Sequence, residues 1–148
     1  MTRLYLDSSA FVKRYVAEQA SDDVLSEIVN AESIATAAVT LAELTSAFAR
    51  LAKGGAFSLR EAEARRAALD EDWQEIIRLP IDDSTVELAA RVAWDHQVRG
   101  FDAIHLASAL KWMEGMGAPV RFATFDRQLW RAARETGLDA WPDGFGNS

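Results

Sequence analysis

The chain has 148 residues, 23 of them acidic and 16 basic, so its formal net charge is −7, and it contains no cysteine. Its length is typical of a single compact domain, and a hydrophobic content of 49% excludes disordered and collagen-like chains. The absence of cysteine excludes disulfides, thiolate nucleophiles and cysteine-based metal centres. The acidic charge argues at first against nucleic acid as a partner, because proteins that bind it normally present a basic face.

The start of the chain and its apolar runs limit where the protein is expected to act. Asp7 comes after too few apolar residues for a signal peptide, and no run approaches the ~18 apolar residues of a membrane-spanning helix. We therefore expect a soluble, cytoplasmic protein with no membrane partner.

Short apolar runs alternate with helical patterns along the sequence. Strands are predicted at residues 3–6, 33–37, 77–81, 120–124 and 140–141. Helices are predicted after Asp7, from Ser21, over residues 39–53, after Ser58, from about Ile81 to Gly100, from Ala103 to about Gly115, and after Asp126. This alternation predicts an α/β fold, with one domain over residues 1–141 and a central parallel sheet of four to five strands flanked by helices.

Some element boundaries have specific signals. Pro80 removes a backbone donor, so the run at residues 77–81 fits an edge strand. Ser58 and Glu61 have the spacing of a capping box, which predicts a helix start. Residues 142–148 form a short C-terminal tail whose glycine-rich composition predicts fraying.

Four acidic residues, far apart in sequence, stand where predicted strands end or helices begin. Asp7 and Asp126 follow strands, whereas Glu43 and Asp102 lie in the first turns of helices. The carboxyl ends of parallel strands meet at one edge of a sheet, so we expect these carboxylates to lie together. Clustered carboxylates repel one another unless a cation lies among them, and a hard divalent ion such as Mg²⁺ suits oxygen ligands. Such a site can orient water for hydrolysis of a phosphodiester bond.

Each of these carboxylates also has a purely structural interpretation. Asp7 and Asp126 have the position of helix N-caps. Thr40 and Glu43 have the spacing of a capping box, and the helix dipole favours Asp102 near a helix start. Capping and metal binding can coexist, and the shared sheet edge favours the functional interpretation.

Other polar and aromatic residues have weaker signals. His105 follows Asp102 by three residues, but in an apolar stretch we interpret it as a packed histidine with one hydrogen-bonded nitrogen rather than a base. His96 is interpreted as a helix-surface residue. The tryptophans fit packing in the core or a dimer interface better than base stacking: Trp73, Trp94, Trp112, Trp130 and Trp141. Basic residues that flank the predicted edge could hold phosphates, although scattered basic residues are usually solvated: Arg3, Lys13, Arg14, Arg99 and Arg127.

Competing enzyme classes lack their required motifs. No glycine-rich turn follows the first strand, so dinucleotide or P-loop binding is unsupported. The segment after Asp7 lacks the second carboxylate, two residues on, of phosphate-transferring aspartyl hydrolases. No serine lies in a GxSxG elbow, so a serine hydrolase of that type is unsupported as well.

The four acidic positions lie in segments that resemble the signature segments of PIN-domain proteins. These segments are LYLDSSA at residues 4–10, TLAEL at 40–44, GFDAIHLASAL at 100–110 and ATFDRQL at 123–129. Each is weakly specific alone. In this order, with the likeness running from residue 3 to about 141, they resemble most closely the VapC-type ribonuclease toxins of toxin–antitoxin pairs.

The resemblance implies a Mg²⁺- or Mn²⁺-dependent endoribonuclease that forms homodimers and is neutralised by a small antitoxin. By matching positions, it implies that Asp7 and Asp102 are the principal metal ligands. Glu43 and Asp126 would complete the acidic pocket, directly or through water. None of these segments indicates which RNA is cleaved.

The same matching implies that Ser9 and Thr124 are polar supports of the metal ligands. The non-catalytic alternative is a PIN-like binding or regulatory module whose acidic pocket receives a basic partner peptide. In the nuclease interpretation, up to four of the 23 acidic residues belong to a site where a cation reverses the local charge. The net charge of −7 therefore does not exclude RNA.

Overall fold

The computed structural model describes residues 2–147, and its centre is a five-stranded sheet. The strands are β1 (Thr2–Leu6), β2 (Ala31–Ala37), β3 (Ile77–Leu79), β4 (Arg121–Ala123) and β5 (Asp139–Trp141). Their order is β3-β2-β1-β4-β5, and every neighbouring pair is parallel. The predicted α/β fold with a central parallel sheet is confirmed.

Helices connect the strands and cover both faces of the sheet. They are α1 (Ser8–Phe11), α2 (Ser21–Asn30), α3 (Thr40–Lys53), α4 (Leu59–Trp73), α5 (Asp83–His96), α6 (Gly100–Met116) and α7 (Arg127–Glu135). A 3-10 turn over Val12–Arg14 continues α1. Across residues 2–147, no helix is long and apolar enough to cross a membrane.

The two faces of the sheet bury two apolar cores, because side chains alternate along each strand. Tyr5 of β1 packs on the face covered by α5, α6 and α7, where its ring stacks on Phe122 with the ring centroids 5.1 Å apart. Leu4 and Leu6 pack on the other face, under α1, α2, α3 and α4. β1 therefore lies between two packed layers of helices, and the turn that follows it emerges at the edge of the sheet.

The sheet has a switch point between β1 and β4. On one side of β1 the sheet continues to β2 and β3, and on the other side it continues to β4 and β5. Open α/β sheets bind ligands in the crevice at the carboxyl ends of the strands beside such a point. The turns after β1 and β4 are therefore the parts of the fold that can position a site.

Most predicted boundaries agree with the structure, including the capping box of Ser58 and Glu61 and the edge position of β3. The expectation that Gly100 closes the helix before it is wrong. Helix α5 ends at His96, because Gln97 adopts the left-handed conformation with a φ of 57°. Gly100 is instead the first residue of α6.

The predicted fraying of the tail is wrong for residues 142–147, which pack on α7. A 3-10 turn spans Phe145–Asn147, and a Cβ at Gly146 would lie 2.2 Å from the Trp130 ring. Trp130 Nε1 donates a hydrogen bond to the carbonyl oxygen of Pro142, and Arg131 Nε donates one to that of Gly146. The glycine at this position reflects a close approach to an aromatic ring and not disorder.

Candidate active site

Asp7 is a buried carboxylate at the switch point. It follows β1 directly, and its side chain is at the start of α1, where Oδ1 accepts a hydrogen bond from the amide of Ala10 at 2.9 Å. Only 3% of the residue is exposed. The capping interpretation of Asp7 is therefore correct, and the same side chain lies at the sheet edge where a functional carboxylate was expected.

Two hydroxyl groups hold Asp7 from both sides. Ser9 Oγ donates to Asp7 Oδ1 at 2.7 Å, and Thr124 Oγ1 donates to Oδ2 at 2.6 Å. The hydroxyl oxygens of Ser9 and Thr124 also accept the backbone amides of Phe125 and Asp126. These bonds join the turn after β1 to the turn after β4 and fix the orientation of the Asp7 carboxylate.

The electrostatic environment of Asp7 disfavours its charge. Burial raises the pKa of Asp7, and the nearby His105 ring and the hydroxyl and amide donors offset only part of that rise. Among residues 2–147, no lysine or arginine forms a salt bridge with Asp7. A bound cation would stabilise such a carboxylate in its ionised form.

Asp102 and Asp126 lie near Asp7. Asp102 is in the first turn of α6, and Asp126 is the N-cap of α7. Burial raises the pKa of Asp102, and the charges of Asp126 and Asp7 raise it further. His105 and Arg99 act in the opposite direction but do not cancel the rise. The structure therefore brings three of the four predicted carboxylates into one electrostatic group.

Glu43 lies in the first turn of α3, but its contacts differ from those that its spacing predicts. The capping-box interpretation is wrong, because Thr40 Oγ1 lies 2.7 Å from Thr36 Oγ1 and no side chain caps α3. Glu43 Oε1 instead accepts from Ser8 Oγ at 2.6 Å and lies 2.8 Å from His105 Nε2. Burial acts to raise the pKa of Glu43, but the hydrogen bonds from His105 and Ser8 outweigh it and lower the pKa.

The carboxylates form an open set and not a tight chelate. Within residues 2–147, no three acidic, histidine or cysteine side chains are arranged to hold one ion. Mg²⁺ keeps several water ligands and commonly binds only one or two carboxylates. The raised pKa of Asp102, caused first by burial and then by the charges of Asp126 and Asp7, also fits a nearby cation. Binding by all four carboxylates stays a prediction.

Tyr5 and Ser8, for which no role was predicted, contact this site together with His105, whose predicted role was packing. The Tyr5 hydroxyl lies 2.7 Å from His105 Nδ1, so His105 uses both ring nitrogens and not one as predicted. Tyr5 lies two residues before Asp7, and His105 lies one turn after Asp102. Each therefore shares a face with a candidate ligand, and this spacing is the signal that could have identified them.

The other candidates are mostly engaged elsewhere. Ion pairs join Arg3 to Glu32, Lys13 to Glu18 and Arg14 to Asp72. Arg127 lies over the Phe145 ring, whereas Arg99 is exposed near Asp102. Four of the five tryptophans are buried as expected, but Trp94 is 86% exposed. Besides its ion pair, Lys13 also lies over the ring of Phe125, with Nζ 4.5 Å from the ring centroid, so it is close to the turn before Asp126.

Comparison with known proteins shows the family to which the chain belongs. Residues 4–135, which are most of the chain, match the PIN domain family. The chain belongs to the PIN-domain family. The match spans the four segments around Asp7, Glu43, Asp102 and Asp126, so the family resemblance inferred from those segments is confirmed.

Two curated relatives of this PIN domain are the ribonucleases VapC45 and VapC49 of Mycobacterium tuberculosis. Each is 31% identical over 147 residues, and the alignment covers 96% of this chain and 96% of the relative. The similarity therefore extends beyond the four segments to nearly the whole domain.

Solved structures share the fold. FitAcB from Neisseria gonorrhoeae has a TM-score of 0.68 at 17% identity, over 94% of this chain and 99% of that one. VapBC-5 from Mycobacterium tuberculosis, a member of the VapBC family of toxin-antitoxin systems, has a TM-score of 0.56 at 24% identity, over 85% and 86%. VapBC2 from Rickettsia felis, bound to a promoter DNA fragment, has a TM-score of 0.59 at 12% identity, over 86% and 91%. At these identities the likeness concerns the fold.

Proposed function

We propose that this PIN domain is a metal-dependent endoribonuclease and the toxin of a toxin–antitoxin pair. The observation that carries the proposal is the carboxylate set at the switch point. Asp7 is buried with a raised pKa, and it lies near Asp102 and Asp126 without a basic side chain bonded to it. The ribonuclease names of relatives that are 31% identical support RNA as the substrate class.

Mg²⁺ is the proposed cofactor, with Mn²⁺ as a substitute. Asp7 and Asp102 are its proposed principal ligands, and Glu43 and Asp126 complete the acidic pocket directly or through water. A bound divalent ion supplies Lewis acidity toward a phosphate oxygen and lowers the pKa of a coordinated water. Mg²⁺ keeps several water ligands, so the proposed role requires only one or two of these carboxylates as direct ligands.

The protein side chains contribute orientation and a proton acceptor to the proposed hydrolysis. Hydrogen bonds from Ser9 and Thr124 hold Asp7 in one orientation, so the ligand does not have to be reorganised during the reaction. Glu43 is the proposed proton acceptor for water, and its lowered pKa keeps it ionised at neutral pH while making it a weaker base. Water is the proposed nucleophile, and no covalent protein intermediate forms.

The proposed protein partners are a small antitoxin and a second copy of the chain. The fold is shared with VapBC-5, a member of the VapBC family of toxin-antitoxin systems, which supports an antitoxin. The net charge of −7 and the acidic pocket favour an antitoxin that inserts a basic side chain near Asp7 and Asp102. Homodimerisation follows from the family resemblance alone.

RNA cleavage by the purified chain with defined metals tests the proposed function. Total bacterial RNA is incubated with Mg²⁺, with Mn²⁺ or with a chelator, and new RNA ends are mapped by sequencing. We expect cleavage with either ion and none with the chelator. Asp102→Asn should abolish cleavage, whereas Asp82→Asn should not, because Asp82 is a surface carboxylate that caps α5 and asparagine also caps helices.

Two results would contradict the proposal. Cleavage that persists in the chelator would remove the metal requirement. Absence of cleavage with both ions, combined with binding of an arginine-rich peptide that Asp102→Asn abolishes, would support the non-catalytic binding module instead.

A further inference from the structure

A chain of hydrogen bonds connects the core of the sheet to Glu43. With Asp7, Asp102 and Asp126, Glu43 forms the carboxylate set of the proposed acidic pocket. The Tyr5 hydroxyl lies 2.7 Å from His105 Nδ1, and His105 Nε2 lies 2.8 Å from Glu43 Oε1. Ser8 Oγ donates to the same Glu43 oxygen at 2.6 Å. Tyr5 is fully buried and His105 is 2% exposed, so water does not compete for the bond between them.

The partners on both sides of the His105 ring favour one position for its proton. The Glu43 carboxylate accepts from Nε2, and the Tyr5 oxygen, which already accepts the backbone amide of Ala37 at 3.1 Å, can donate its own proton to Nδ1. Nδ1 is then an acceptor, and the neutral ring carries its proton on Nε2. That proton is donated to Glu43. Tyr5 and Glu43 therefore favour the same tautomer of His105, the one that can hold the carboxylate.

We propose that His105 is a positioning residue that acts through Glu43, with Tyr5 favouring the tautomer that donates to Glu43. The inference rests on the proposed nuclease function, in which Glu43 belongs to the acidic pocket. Two donors hold Glu43 Oε1, and within residues 2–147 the other oxygen, Oε2, makes no hydrogen bond. The carboxylate is thus held by one oxygen, while Oε2 is left to face water or a ligand.

The second histidine of the chain provides an internal control. His96 Nδ1 lies 2.9 Å from Glu135 Oε2, and the Glu135 side chain is 63% exposed. This pair lies at the end of α7 opposite Asp126. Both histidines contact a glutamate, but only the contact of His105 reaches the carboxylate set, so a substitution at His96 should leave RNA cleavage unchanged.

Two conservative substitutions separate positioning from packing. His105→Gln keeps a donor near the position of Nε2, whereas His105→Asn keeps an acceptor near Nδ1 but is too short to reach Glu43. Kinetics are measured on the RNA that the wild-type chain cuts fastest from total bacterial RNA. We expect His105→Asn to lower kcat by about 10- to 100-fold with KM changed less than about twofold, and His105→Gln to stay within about threefold of wild type. A merely structural histidine predicts similar losses for both.

A second readout requires neither metal nor activity. The chain has two histidines, so ¹⁵N NMR resolves both rings, and His96→Asn assigns them. We expect His105 to be protonated on Nε2 with Nδ1 as an acceptor. Tyr5→Phe should weaken this preference, because Glu43 then favours it alone, and should leave the ring of His96 unchanged. Because the spectrum of the wild-type chain decides the tautomer, the test stands even if a His105 variant does not fold.

Several outcomes would overturn the inference. One is a proton on Nδ1 of His105, with the Tyr5 proton turned to the nearby buried Oγ of Ser108. Another is a wild-type kcat in a folded His105→Asn variant. The latter result, with cleavage lost in Asp102→Asn, overturns the positioning role and leaves the nuclease function intact. If the wild-type chain cuts no RNA, the proposed function fails, and the positioning role fails with it.

Discussion

Two groups of carboxylates in this PIN domain differ in what neutralises them. Asp72 accepts hydrogen bonds from Arg14 Nε and from the Tyr15 hydroxyl, both at 2.6 Å. Burial acts to raise the pKa of Asp72, but these bonds outweigh it and lower the pKa. The hydrogen bond from Lys111 is the main cause of the lowered pKa of Asp82, which caps α5.

At the switch point, the effects that raise the pKa of Asp7 and Asp102 outweigh those that lower it. Burial raises the pKa of both Asp7 and Asp102. Within residues 2–147, neither of them forms a salt bridge with a lysine or an arginine. Asp72 and Asp82 are thus neutralised by cations of the chain itself, whereas in the proposed function Asp7 and Asp102 are neutralised by a metal ion. The direction of the pKa shift separates Asp7 and Asp102 from Asp72 and Asp82, whereas Glu43 has a lowered pKa because His105 and Ser8 bond to it.

Removal of a carboxylate at the switch point should have the largest effect on activity. We expect Asp7→Asn to lower the rate of RNA cleavage by about 10³-fold or more, because a metal ligand contributes several kcal/mol of transition-state stabilisation. The rate is measured with Mg²⁺ on RNA fragments mapped for the wild-type chain. Asp72→Asn is the matched control and should stay within about twofold of wild type. Equal losses in both variants would remove the distinction between the two groups.

The opposite pattern is expected for stability. Asp72→Ala should lower the free energy of unfolding by about 1–2 kcal/mol, because Arg14 and Tyr15 lose a shared acceptor at a partly exposed position. Chemical unfolding in urea measures the loss. Asp102→Ala should show no comparable loss, since its carboxylate lies among other negative charges. An Asp72→Ala variant as stable as wild type would show that the Asp72 contacts contribute nothing to the fold.

Added metal should stabilise the folded protein through the carboxylates of the switch point and not through Asp72. At a Mg²⁺ concentration about five times its dissociation constant, the folded state gains about 1 kcal/mol by mass action. The thermal midpoint of the wild-type chain should rise accordingly, by about 2–4 °C. Asp102→Asn should abolish the rise and Asp72→Asn should retain it. A rise of equal size in all three proteins would place the ion outside the switch point.

The smallest effect concerns pH in the absence of metal. The pKa of Asp102 is raised in the folded state above its ordinary 3.8, so the ionised carboxylate disfavours folding at every pH above the raised value. The penalty disappears as the pH falls through the raised pKa toward 3.8. We expect Asp102→Asn to be more stable than wild type by roughly 0.5 kcal/mol at neutral pH, reduced by the partial exposure of the side chain. Urea unfolding at a series of pH values should show this gap closing, and a gap that widens in acid would contradict the sign.

The carboxylates could be predicted from sequence because their positions depend on local patterns. Asp7 and Asp126 directly follow apolar runs, and the parallel arrangement of those runs places both at one edge. The partners of Glu43 could not be predicted in the same way. Ser8 and His105 are 35 and 62 residues away in sequence, so the contact depends on how α1, α3 and α6 pack together. Local spacing instead suggested the capping box with Thr40, which does not form.

The end of α5 and the C-terminal tail also depend on packing that local sequence patterns do not contain. Gly100 has the composition of a helix end, but Gln97 ends α5 by adopting a left-handed conformation, which few side chains favour. Gly146 lies in a tail that looks flexible by composition, yet its lack of a side chain is what allows the Trp130 ring to approach. In both cases a glycine is a strong local signal, and tertiary packing decides which of its uses applies.

The hydrogen bonds around Asp7 limit how many further partners it can take. An ionised carboxylate offers about four lone-pair positions. On Oδ1 two of them are used by Ser9 and Ala10, and on Oδ2 one is used by Thr124. A single position on Oδ2 is left, so Asp7 can bind an ion through one oxygen only. Ca²⁺ often takes a carboxylate through both oxygens, and at Asp7 that would require breaking a bond on Oδ1, whereas one-point attachment suits the smaller octahedral Mg²⁺.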